Sequence, residues 1–95
     1  MNYEFESVVF EWRGPSPFYF ARVPEDIAAE IALIAPTLTY GWGVIPASVT
    51  IGSTTVTTSL FPKDGGYLVP LKDALRKPEG VSNADTVRIE LTLGR

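Results

Sequence analysis

Thr57–Arg76, TTSLFPKDGGYLVPLKDALR, is the stretch on which the fold turns. Its threonines favour extended backbone, and Thr58 and Leu60 share one side of a strand running from Thr54 to Phe61. Pro62-Lys63-Asp64-Gly65-Gly66 has the composition of a tight turn. Tyr67–Leu71 returns as a second strand, and Lys72–Lys77 reads as one helical turn stopped by Pro78. A strand, a turn, a strand and a helical turn need other strands to close around them.

Those strands are visible on both sides. Upstream, Val44–Ile51 puts Ile45, Ala47, Val49 and Ile51 on one face, and Gly52-Ser53 signals a two-residue hairpin loop. Pro46 places the start of that strand at an edge. Downstream, Val87, Ile89, Leu91 and Leu93 alternate with Arg88, Glu90 and Thr92, the cleanest strand pattern in the chain. At the N-terminus, Tyr3–Arg13 alternates until Ser7-Val8-Val9, where the pattern slips as it does at a bulge or bend. Gly14-Pro15-Ser16-Pro17 interrupts it, and Phe18–Val23 resumes with Phe18, Phe20 and Arg22 on one side and Tyr19, Ala21 and Val23 on the other.

Between Val23 and Val44 the period changes. Pro24, then Glu25 and Asp26, form a helix start, and Ile27, Ile31 and Ile34 draw one apolar stripe. Pro36 is expected to end this helix near Ala35. Six short strands, one helix and one helical turn predict a mainly β, single-domain protein: a small closed six-stranded antiparallel barrel over residues 1–95.

Composition narrows the chemistry. The 95 residues carry no cysteine and no histidine. Disulfides, thiolate metal sites and the commonest general base are therefore excluded. The net charge of −3 opposes nucleic-acid binding. No apolar run reaches signal-peptide or membrane-spanning length, so a cytoplasmic protein without membrane contact is expected.

Several pieces in order resemble the DUF1905 family of small β-barrel domains, whose function is unassigned. They are Phe18 and Phe20 before Val23-Pro24, Gly41-Trp42-Gly43, Val49-Thr50-Ile51-Gly52, Thr58-Ser59-Leu60-Phe61-Pro62, Gly66-Tyr67-Leu68-Val69-Pro70, Arg76, Gly80 and Asp85-Thr86-Val87. The resemblance implies a closed six-stranded barrel and lends no catalytic residue. Ala84 departs from the family pattern, which has glycine before that aspartate. Some relatives continue into a helical segment associated with bacteriocin protection; that role is not carried over.

The candidate ligand-binding residues are Trp12, Tyr19, Trp42, Lys72 and Arg76. Aromatic rings near a barrel mouth can line a pocket for a planar ligand, although rings also fill small barrels. Lys72 and Arg76 stand four apart on a helical turn, where two cations can hold a carboxylate or phosphate or pair with nearby acids. Thr58 and Ser59 lack a histidine to activate them and read as strand formers. Glu4 and Glu6 read as the solvent side of their strand. The Lys63 turn lacks the glycine spacing and following helix of a phosphate loop.

The leading expectation is thus a non-enzymatic binding domain for a small anionic molecule, with no cofactor and no metal. Two alternatives are an enzyme using Lys72, Arg76 and a carboxylate such as Asp85 or Glu11, and a module that mainly forms homodimers through an edge strand.

Overall fold

The computed structural model describes residues 1–12, 18–38 and 43–94. The strands are β1 Asn2–Trp12, β2 Phe18–Arg22, β3 Ile45–Ile51, β4 Thr54–Lys63, β5 Gly66–Pro70 and β6 Thr86–Leu93. Helix α1, Glu25–Leu38, joins β2 to β3, and α2, Asp73–Glu79, joins β5 to β6. Every neighbouring pair is antiparallel, and the order β1-β2-β5-β4-β3-β6 closes on itself. This is the closed six-stranded barrel that the alternation predicts.

The slip in β1 marks where the strand changes partner. Asn2–Val8 pairs with β6, and Val9–Trp12 pairs with β2. Val9 is pinned there by a backbone exchange: its N–H donates to the Asp85 carbonyl at 2.8 Å, and the Val9 carbonyl accepts from the Ala84 N–H at 2.8 Å. The Ser7 hydroxyl donates to the Arg22 carbonyl at 2.8 Å. One strand thereby serves two halves of the barrel.

Aliphatic side chains fill the interior. Val9, Ile45, Val49, Leu60, Val69 and Ile89 are essentially fully buried. A fully buried side chain of this kind contributes about 1.5–3 kcal/mol, so a few of them dominate the stability. Connectivity places the helices at opposite ends. α1 enters from the end of β2 that lies beside the start of β5, and it inserts Ala28 and Ile31. α2 leaves the other end of β5 and inserts Leu75. Ile31 and Leu75 both belong to the core.

Both helices run past the prolines expected to stop them. Pro36 lies inside α1, which continues to Leu38. It stands in the last turn on the exposed side, and the Thr37 hydroxyl donates to the Ile34 carbonyl at 2.7 Å, so few backbone bonds are lost. Pro78 lies inside α2, which ends instead at Gly80, where φ is +64° and the N–H points back at the Arg76 and Lys77 carbonyls. The Asp64-Gly65 loop takes positive φ at both residues, as the two-residue hairpin pairing Lys63 with Gly66 requires. Pro46 sits where β3 has β4 alone as a paired neighbour; on the other side the Gly94 N–H reaches its carbonyl at 2.8 Å, beyond the end of β6.

Candidate functional site

The barrel leaves a groove because two adjacent strands differ in length. β4 has ten residues and β5 five. Their register joins only Phe61–Leu68, Pro62–Tyr67 and Lys63–Gly66. Beyond Phe61, β4 runs beside Leu71, Lys72 and the start of α2. A cavity of about 1030 Å³ opens there on the outer wall of the barrel. One bank is Thr57, Thr58 and Ser59; the other is Leu71, Lys72 and Asp73; Phe18, Tyr19, Phe20 and Phe61 supply rings.

The rings have this position because of strand alternation. Ala21 and Val23 turn inward and are buried, so Phe18 and Phe20 face out. Phe10 pairs with Phe20 and Trp12 with Phe18 across β1 and β2. Ring centroids lie 6.0 Å apart for Phe10–Phe20 and 5.9 Å for Phe20–Phe61, in tilted arrangements. Leu68, buried yet outside the interior cluster, lies on this outer side with Phe20 and Phe61. Phe18 is 59% exposed and Trp12 46%. A second cavity of about 570 Å³ adjoins the first, shares Phe18, Phe20 and Phe61 with it, and adds Trp12 and Lys63.

The five residues singled out in the sequence divide. Tyr19 and Lys72 line the larger cavity, and Trp12 lines the smaller. Trp42 lies outside the described residues, as do Tyr40, Gly41, Arg13 and the Gly14–Pro17 interruption. Lys72 is exposed, and its ammonium donates to the Thr57 carbonyl at 2.9 Å across the groove. One of its three donors is thereby used.

Arg76 takes a different post. Its guanidinium carbon lies 3.9 Å from the centroid of the Tyr19 ring. Nη2 donates to Asp73 Oδ1 at 2.6 Å, and Nη1 to the Val81 carbonyl at 3.4 Å. Its side chain is only 15% exposed. Nε is buried and has no hydrogen-bond partner among the described residues. Asp73 is shared, with Lys77 Nζ 3.7 Å from its other oxygen. Two cations, Arg76 and Lys77, thus share one carboxylate at the start of α2, while Lys72 beside it reaches across the groove.

Phe18, Phe20 and Phe61 are not among the sequence candidates, and Lys63, read there as part of a hairpin turn, joins them at the groove. A signal was present. Phe10, Trp12, Phe18 and Phe20 recur at i, i+2 on two strands, while the other face of β2 carries the small Ala21 and Val23. The Lys63 ammonium lies 4.7 Å from the Trp12 ring centroid. Arg22 secures this corner, its Nη2 donating to the Lys63 and Asp64 carbonyls at 3.1 Å each. Any side chain at Gly66 would collide with that guanidinium.

The other readings resolve as follows. Tyr67 is buried in the core. Glu4 and Glu6 are exposed on β1, and Glu4 accepts a hydrogen bond from Arg88 at 2.8 Å. No group of three acidic side chains suited to a metal ion occurs among the described residues. No helix among them is long and apolar enough to cross a membrane.

Fold and site together define a small closed β-barrel domain with a ring-lined groove on its outer wall. A family model described as a domain of unknown function, DUF1905, matches residues 5–91, nearly the whole chain. The chain belongs to the DUF1905 family. No curated protein matches it.

Proposed function

We propose that this is a non-enzymatic binding domain, and that its outer-wall groove takes a planar, partly apolar ligand carrying one anionic group. The observation that carries this reading is the pairing of a ring-lined cavity of about 1030 Å³ with Lys72 at its lip. Pockets for small ligands are mostly apolar, with a few placed polar groups, and here the rings and Lys72 fill those two roles. Charge agrees. The protein is negative overall, yet at the start of α2 Arg76 and Lys77 already engage Asp73, and Lys72 keeps its charge at the groove. In this reading Lys72 contacts the anion, Phe18 stacks on the planar body, Tyr19 borders the groove, and Thr57, Thr58 and Ser59 supply polar contacts. Arg76 orients Tyr19 through the face of its ring. A cytoplasmic location belongs to the same proposal.

Thermal-shift and calorimetric titration with indole-3-acetate and 4-hydroxyphenylacetate test the reading, with the matching neutral amides as controls. The acids are expected to raise Tm, to lose affinity with added salt, and to lose it again in Lys72→Ala and Phe18→Ala. Equal behaviour of acids and amides, or no response in either, refutes it.

A further inference from the structure

The two cavities meet along Phe18, Phe20 and Phe61 and end at different cations, Lys72 in one and Lys63 in the other. We propose that the joined groove is a docking site for an extended peptide segment, apolar or proline-rich in its middle and acidic at both ends. The proposal rests on the groove reading above and names its physiological occupant.

Size is the first support. The larger cavity alone matches the upper end of the usual small-molecule range, and the second adds about 570 Å³. A compact ligand leaves part of this surface bare. Trp12, Phe18 and Phe61 are 46%, 59% and 41% exposed, and a contiguous patch of exposed rings marks an interaction site. Aromatic-lined grooves on small β domains suit polyproline-type segments, whose stiff backbone loses little entropy on docking.

Charge placement is the second support, and it favours an acidic peptide over a nucleic acid. A strand needs about 20 Å for six residues, so the Thr57 carbonyl holding Lys72 and the backbone of Lys63 are no more than about 20 Å apart. Lys63 leans over Trp12, its ammonium 4.7 Å from the ring centroid. Its backbone is fixed by Arg22, so this cation is placed and not merely present. The rest of the protein carries excess negative charge, which disfavours a polyanion but tolerates two carboxylates set at the two lysines. Each carboxylate replaces water at an ammonium that has unused donors.

The test uses labelled peptides of two glutamates separated by one, four or ten prolines, because polyproline advances about 3.1 Å per residue and acts as a ruler. Fluorescence anisotropy is expected to rank the four-proline peptide first, about five-fold or more above the others. Changing either glutamate to glutamine, or making Lys63→Gln or Lys72→Gln, is expected to remove that advantage. Both lysines are exposed, so the variants are expected to keep the wild-type Tm. Binding that ignores spacing, or that Lys63→Gln leaves intact, overturns the proposal. Tighter binding of oligo-dT, or of vesicles of anionic phospholipid, overturns it too. If the aromatic acids bind through Lys72 while no peptide does, the groove reading stands and the peptide proposal falls; if neither binds, both fall.

Discussion

Replacing Arg76 by alanine separates a structural clamp from a ligand-binding cation. In the structure the guanidinium lies 3.9 Å from the Tyr19 ring centroid, paired with Asp73 and mostly withdrawn from solvent. A desolvated cation–ring contact contributes about 1–2 kcal/mol. The ion pair to a 67% exposed Asp73 adds only about 0.5 kcal/mol, because solvent screens it. The buried part of the aliphatic stem adds about 1 kcal/mol. Removing the unpaired Nε returns some of this. The expected net loss is therefore about 2–3 kcal/mol. For a domain of 60–100 residues each kcal/mol moves Tm by about 4–8 °C, so a fall of roughly 10–20 °C is expected. Arg76→Lys keeps the charge but not the forked guanidinium that reaches Asp73 and Val81 together, and should recover less than half. Urea denaturation of Arg76→Ala, Tyr19→Leu and the double variant gives the coupling directly, expected near 1 kcal/mol. A loss below about 0.5 kcal/mol, or zero coupling, refutes the clamp and returns Arg76 to the pool of free cations.

Three further outcomes are expected. The Tyr3 hydroxyl is buried without a partner among the described residues, and burial, then the negative Glu30, raises its pKa above 10.0. The folded state therefore holds the proton longer, and stability falls as pH rises past the unfolded value; Tyr3→Phe should flatten that loss in alkaline denaturation and add about 1 kcal/mol at neutral pH. Ala84 has φ of +72°, a conformation costing an L-residue about 1–2 kcal/mol, so Ala84→Gly should gain up to about 1 kcal/mol by chemical denaturation after the added chain entropy is subtracted. Gly52 has φ of +59° and the Glu79 carboxylate lies where a side chain would stand, while Glu79 accepts a 2.6 Å hydrogen bond from Thr54; Gly52→Ala should cost about 1–3 kcal/mol in the same assay.

Strand periodicity made the barrel legible before any coordinates. Ile45, Ala47, Val49 and Ile51 alternate strictly, as do Val87, Ile89, Leu91 and Leu93, and burial follows that alternation residue by residue. The slip at Ser7-Val8-Val9 also had a meaning, though pairing alone reveals it: β1 trades β6 for β2 there. Helix ends were less legible. A proline signals the loss of one backbone donor, but a final turn facing solvent accepts that loss, as Pro36 and Pro78 do.

The groove was legible only in part, because its cause is relational. Lys72 and Tyr19 stand out in the sequence for their chemistry; Phe18, Phe20 and Phe61 look like core until Ala21, Val23, Leu60 and Val69 are seen to occupy the interior. Nor does the spacing of Lys72 and Arg76 say which of them stays free. That follows from Tyr19 lying beneath the arginine and the Thr57 carbonyl lying opposite the lysine.

One inequality links fold to site. If β5 were as long as β4, the two strands would pair along their whole length and Thr57–Ser59 would lose their open bank. Because β5 stops at Pro70, the chain turns into α2, Leu75 closes the core, and Lys72 reaches back across the gap to the strand it no longer pairs with. Among the described residues, buried aliphatic side chains occupy the barrel interior. The proposed binding surface lies on the outer wall, beyond the short pairing of β4 with β5, where alternation turns Phe18, Phe20 and Phe61 away from the core.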